Sequence, residues 1–164
     1  MNLDPEKCEQ FYRLWFLLLQ HVNAREQLIP SLPLNLTRGE VNPTDARILR
    51  DALWSSDENV DSFLIEQQDR LSEADYNLVA SWRQRISGKF YMVRHLKKHT
   101  LFVTEEEPPC AYGVLGIVSP LPPLSTGPYP CLLMLRYFHL KTRSSMTVYS
   151  CLIPLLSVAV FGKA

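Results

Sequence analysis

Acidic side chains are nearly missing from the second half of this chain. Of seventeen Asp and Glu, only Glu105, Glu106 and Glu107 fall after residue 86. The three are adjacent, and the half that holds them is left basic. Glycine is scarce too, six in 164 residues. Neither G-x-G-x-x-G nor G-x-x-x-x-G-K occurs, which removes the common phosphate cradles. The four cysteines, Cys8, Cys110, Cys131 and Cys151, form no C-x-x-C pair, so zinc knuckles and thioredoxin-type redox motifs are excluded. No G-x-S-x-G elbow, H-E-x-x-H pair or EF-hand loop appears. Long apolar runs are also lacking. LWFLLL and CLIPLLSVAVF are both too short to span a bilayer as a helix. The opening MNLDPEKCEQ is acidic, unlike the basic start of a signal peptide. These absences imply a cytoplasmic protein with no membrane segment, no metal and no cofactor, whose thiols are reduced and mostly buried.

What is present is a charge split. Net charge is zero, but residues 1–86 carry nine Lys/Arg against fourteen Asp/Glu, and residues 87–164 carry eight against three. The halves therefore stand at −5 and +5. A split of this kind is met either by attraction between the halves or by an anionic partner for the basic half. At 164 residues the chain is most simply one domain, 1–164, with an acidic helical half 1–87 and a basic β half 88–164.

The first half reads as about four helices. Asp4-Pro5 is a start signal for a helix to about Gln27, with Pro30 as its stop. Phe11, Leu14, Trp15, Leu18 and Val22 recur at helical spacing. Phe16, Leu17 and Leu19 widen the apolar surface, as in a central core helix or one docked on a second protein. Asn42-Pro43 starts a second helix through DARILRDALW, and VDSFLIEQQDRL is a third. Ser72 to Asp75 is an acidic variant of the capping box, opening ADYNLVASWRQRI with Tyr76, Val79, Trp82 and Ile86 on one stripe and Gly88 as the stop.

After Gly88 the chain turns aromatic and β-branched. KFYMVRHL, HTLFVT, AYGVLGIV, CLLMLRYFHL, MTVYSCLI and SVAVF read as strands separated by turns. Helices followed by strands predict an α+β fold, with an antiparallel sheet or small barrel of five or six strands. Gly113 and Gly116 sit inside a strand pattern and mark a bulge or a close backbone approach. Five of twelve prolines fall between Pro120 and Pro130, where Pro120 and Pro123 make a PxxP. That stretch is either a stiff connection or a polyproline ligand.

The segment RHLKKHTLF carries the candidate chemistry. His95 and His99 are spaced as a helical zinc pair, yet their flanks are strand-like, and two histidines do not complete a zinc set. If LKK turns a hairpin, the two imidazoles face each other across the ladder. Lys89, Arg94, Lys97 and Lys98 flank Phe90 and Tyr91, and a second basic-aromatic strand holds Arg136, Tyr137, His139, Lys141 and Arg143. Cations that grip phosphates beside aromatics that stack on bases suit a single-strand binding face. The candidate anion-binding residues are thus Lys89, Tyr91, Arg94, Lys97, Lys98, Arg136, Lys141 and Arg143. By alternation Phe90, Met92 and His95 cannot all share a face with Tyr91, Val93 and Arg94. A solvated basic hairpin is the simplest reading of the segment.

SWRQRISGKFYMVRHLKKHTLFV, AYGVLGIVSPL and the closing VAVFG together resemble a family of uncharacterised prokaryotic α+β proteins with GKFxxxRHLKK and YGVLG segments. The resemblance covers residues 80–118 and, more thinly, the last forty. Where that family has Tyr-Asp-Gly, this chain has Tyr149-Ser150-Cys151. It implies an α+β fold and brings no activity. The functional expectation is a non-enzymatic binding or regulatory domain whose basic β surface meets nucleic acid or an acidic protein. A small hydrolase, with His95 or His99 as base and Glu105–Glu107 or Asp75 nearby, is the alternative from another class. A self-associating structural protein, a homo-oligomer through the helix at 11–22, is the third.

Overall fold

The computed structural model describes residues 4–33, 36, 41–105, 107–117, 131–139 and 147–150; for 86–88, 131–139 and 147–150 it describes the backbone alone. The fold is α+β, with four helices and an antiparallel sheet. The chain falls into two compact units, one of residues Pro5–Arg83 and one dominated by Gln84–Ala164. The division lies at 83/84, against the 87/88 read from the change in composition.

The helical unit is α1 (Pro5–Glu26), α2 (Pro43–Leu53), α3 (Glu58–Glu66) and α4 (Glu73–Ser81), followed by a 3₁₀ turn at Trp82–Gln84. Its core is aromatic. Phe11 stacks on Trp15 with centroids 6.1 Å apart, and Trp82 meets Phe11 at 5.3 Å and Trp15 at 6.1 Å. Trp54 closes on Trp15 at 5.9 Å. The expected stripe Phe11, Leu14, Trp15, Leu18 and Val22 is buried, together with Leu19. Leu17 stays 40% exposed, so the apolar surface of α1 is wide but not complete.

Local chemistry sets the helix ends. Asn42 accepts from the Thr44 N–H at 2.9 Å, with Pro43 at the first helical position of α2. Ser72 accepts from the Asp75 N–H at 3.2 Å. Gln27 ends α1 in the left-handed conformation, φ +52°. Asn23 then clamps the following loop, accepting from the Ile29 N–H and donating to its carbonyl at 2.8 and 2.9 Å. Buried Asn59 donates to the carbonyls of Ala52 and Leu53, tying α3 to the end of α2.

Three expectations are corrected here. The fourth helix stops at Ser81, and Ile86 and Gly88 belong to the first strand, where they pair with Tyr137 and Leu135. Gly88 is therefore no helix stop; backbone pairing on the strand side prevails over the helical periodicity through Trp82. The buried stripe of α4 is Asp75, Val79 and then Trp82, while Tyr76 is exposed, because Asp75 turns inward to polar partners. The third helix ends at Glu66 rather than running to Leu71.

Two polar clusters hold α1 to its neighbours. Asp75 receives Gln10 Nε2 at 2.7 Å and Arg13 Nη2 at 2.8 Å. Burial alone would raise its pKa, but hydrogen bonds from Gln10, Arg13 and Ser72 outweigh that and hold it below the usual aspartate value. His21 is buried, with Nε2 2.9 Å from Ser62 Oγ and Nδ1 3.3 Å from Glu66 Oε2. Desolvation lowers its pKa, Glu66 opposes, Arg25 adds to the lowering, and the net shift is downward.

In the second unit β1 (Ile86–His95), β2 (Thr100–Thr104) and β3 (Ala111–Gly116) form an antiparallel meander. Phe90, Met92, Phe102 and Val114 are buried on one face. Two further strands are described by their backbone. β4 (Cys131–His139) pairs antiparallel with β1, and β5 (Thr147–Ser150) pairs parallel with β3 and antiparallel with β4. The sixth expected strand, SVAVF, and the proline-rich stretch 120–130 with its PxxP lie outside the described residues. The expectation of mostly buried thiols is corrected where it can be read: Cys110 is exposed and Cys8 half-buried, both as free thiols. No helix among the described residues is long and apolar enough to cross a membrane.

Candidate nucleic-acid interface

The site is built by one hairpin. The turn Leu96–His99 closes with the Leu96 N–H donating to the His99 carbonyl at 2.8 Å, and Lys97 and Lys98 within it are exposed. Strand alternation then sorts the ladder. Phe90 and Met92 point to the buried side; Lys89 and Tyr91 point away from it. Strict alternation would send Arg94 inward beside Met92. Instead the register shifts between Met92 and Arg94, so one residue is extra. Such a bulge turns two successive residues to the same side. Val93 and Arg94 are both exposed, and Arg94 stands opposite Leu101.

The outer face of β1–β2–β3 follows from the register. One row is Tyr91, Val103 and Ala111, and the next is Arg94, Leu101 and Gly113. His99 lies over Gly113: a Cβ at that glycine would be 2.7 Å from the His99 ring, so only glycine lets the imidazole lie against the strand. This is the close approach expected for Gly113. His95 faces Thr100 rather than His99, with Nδ1 2.7 Å from Thr100 Oγ1. The imidazole pair expected across the hairpin is thus corrected: the bulge rotates His95 toward Thr100, and His99 turns onto β3.

Glu105, at the end of β2, carries the carboxylate of this face. The Tyr91 hydroxyl donates to Oε1 at 3.1 Å, and Lys89 Nζ lies 3.8 Å from Oε2. The Glu105 N–H also donates to the Lys89 carbonyl at 3.3 Å. The hydrogen bond to Glu105 raises the pKa of Tyr91, so its hydroxyl stays protonated and donating. Lys89 and Glu105 are both about half exposed, at 54% and 48%, so solvent and solutes reach the pair.

Of the residues singled out from sequence, Lys89, Tyr91 and Arg94 share this outer face, and Lys97 and Lys98 stand at the adjoining turn. Arg136 pairs through its backbone with Ser87 on β1. Lys141 and Arg143 lie outside the described residues. Asp75, named as a catalytic neighbour for the histidines, belongs to the helical unit and is held there by Gln10 and Arg13. No group of three or more His, Cys, Asp and Glu that could hold a metal occurs among the described residues. Sequence reasoning named Glu105 and His99 but not their places on this face. Glu105 stood as a possible carboxylate near a histidine base, although its position five residues after Thr100 puts it on the outer side of β2. His99 stood as a metal ligand, a base or a partner for His95, although a glycine at a paired strand position is the signal for a ring that needs room.

No known protein family, curated protein or solved structure matches the chain.

Proposed function

We propose that the β unit binds single-stranded nucleic acid across the outer face of β1–β2–β3, with Arg94, Lys97 and Lys98 on phosphates and Tyr91 stacking on a base. The observation that carries this reading is that Tyr91 and Arg94 share the outer face of one hairpin whose adjoining turn exposes two lysines. Cations track the backbone of a single strand, and an aromatic ring accepts any base because every base has a π-face. The bulge contributes by turning Arg94 to the side that Tyr91 already occupies.

The strand order supports the same reading. The sequence β1-β2-β3-β5-β4, closed by β1 on β4 and with β3 parallel to β5, is the order of the small five-stranded barrels that bind oligonucleotides or oligosaccharides over strands 2 and 3. Architecture alone does not carry function, so the weight rests on the side chains of the face. In such barrels the loop between the first two strands borders the binding face, and here that loop is Leu96–His99 with its lysines. An oligosaccharide would not call for this concentration of positive charge.

The test is fluorescence anisotropy with labelled single-stranded and duplex DNA over a salt series. Single strands bind tighter than duplex, and log K falls linearly with log salt. Replacing both Lys97 and Lys98 by Ala reduces that slope by about 1.4, since each phosphate contact on a single strand contributes about 0.7. Absence of binding at low salt, or binding without a salt slope, overturns the proposal.

A further inference from the structure

The outer face is not uniformly basic: one carboxylate, Glu105, sits between Lys89 and Tyr91. Resting on the nucleic-acid reading above, we infer that Glu105 makes this position a base-reading subsite, favouring a base that presents an exocyclic amine beside Tyr91.

Glu105 lies 3.8 Å from the Lys89 ammonium and neutralises it, so a phosphate gains little there and meets a like charge. Among the described residues, the cations of the hairpin with no carboxylate beside them are then at its other end: Arg94 beyond Tyr91, and Lys97 and Lys98 at the turn, all exposed. A strand laid on this face therefore runs its phosphates along Arg94 and the turn. Its base, not its backbone, comes to Tyr91 and Glu105.

Next comes hydrogen-bond capacity. A carboxylate only accepts, with about four lone-pair sites. The Tyr91 hydroxyl and Lys89 each engage one oxygen, which leaves two sites open on a group that is 48% exposed. The same Tyr91 bond fixes the ring relative to the carboxylate, so a stacked base has one edge aimed at Glu105. Around the ring the floor is low: Val103 and Ala111 continue its row, and neither is large. Cytosine offers its N4 amine to an acceptor there. Thymine presents O4 at the same place, and its oxygen faces the carboxylate with no proton between them. The device is thus discrimination by the remaining acceptor capacity of the Glu105 carboxylate rather than by shape.

The experiment compares labelled oligo-dC and oligo-dT of equal length with the full chain, at neutral pH and fixed low salt. The expected result is oligo-dC bound at least fivefold tighter than oligo-dT. In Glu105→Gln, whose amide both donates and accepts, the two come within twofold of each other, chiefly because oligo-dT improves. Tyr91→Phe keeps the ring and removes the donor that orients Glu105, so it retains binding and lowers the ratio. Equal binding of the two oligonucleotides by the unmodified chain, with a normal salt slope, overturns this inference and leaves the nucleic-acid reading standing. A preference unchanged in Glu105→Gln also overturns it. Failure of both oligonucleotides to bind removes the underlying reading and this one together.

Discussion

Two residues sit where their side-chain type decides local energy. Gln27 adopts φ +52° at the end of α1, a conformation that costs an L side chain about 1 kcal/mol more than glycine. Gln27→Gly is expected to stabilise the helical unit by a fraction of that amount, since glycine also loses more entropy on folding; a shift of the urea midpoint to higher concentration checks it. Gly113 is the reverse case. An added Cβ would stand 2.7 Å from the His99 ring, so Gly113→Ala must push the imidazole off the strand. The expected loss is on the order of 1–3 kcal/mol, as for other overpacked sites, and the double variant Gly113→Ala with His99→Ala should recover most of it. Both positions show what sequence can and cannot carry. A glycine inside YGVLG announces a close approach, but the pattern does not name the ring that approaches. A glutamine at a helix end announces nothing, because glycine is the residue that marks this cap.

At the scale of elements, α1 is held to α3 and α4 by groups that titrate. His21 has its pKa lowered below the ordinary 6.5, so the neutral ring is what the fold favours. Its stabilisation is present above that ordinary value and is lost as pH falls through the folded pKa, because the unfolded chain takes the proton first. Asp75 follows the same sign at lower pH. Its folded pKa lies below the ordinary 3.8, so the stability from the Gln10 and Arg13 bonds persists at neutral pH and is lost in acid. Urea titrations followed by tryptophan fluorescence from pH 8 downward should thus show two successive losses. His21→Gln should flatten the first, and Asp75→Asn the second while costing on the order of 1–3 kcal/mol at neutral pH. The elements themselves were legible to different degrees. Periodicity and start signals place α1, α2 and the three strands of the β1–β2–β3 meander within a few residues. The end of α4 was not legible, since Trp82 fits a helical stripe equally well as a 3₁₀ turn, and only the pairing of Ile86 and Gly88 with β4 decides it. The bulge in β1 left no mark in sequence either, because Met92, Val93 and Arg94 are ordinary strand residues.

For the whole molecule, the division into two compact units has a spectroscopic corollary. All three tryptophans, Trp15, Trp54 and Trp82, belong to the helical unit. Tryptophan emission therefore reports that unit alone, while far-UV circular dichroism reports both. Unfolding curves from the two probes are expected not to coincide, as for any chain whose parts lose structure separately. Coincident curves with equal calorimetric and van't Hoff enthalpies would show one cooperative unit instead. The sequence reads as one domain whose composition changes at 87/88, acidic before and basic after, whereas the compact units divide at 83/84. The candidate face was only half legible: the basic and aromatic residues of RHLKKHTLF and its flank could be named, but not the bulge that brings Arg94 round to Tyr91.

The parallel pairing of β3 with β5 also orders events in time. During synthesis the helical unit is complete once residue 83 is made, and the three strands of the β1–β2–β3 meander are all present once residue 116 is made. The outer edge of β3 then waits for Thr147–Ser150, paired with Gly113–Gly116 across thirty-odd intervening residues. Until those four residues arrive, a strand edge with free amide and carbonyl groups faces the surroundings, the arrangement that recruits a strand from another chain. A nascent or clipped chain ending before residue 147 is therefore the aggregation-prone form of this protein.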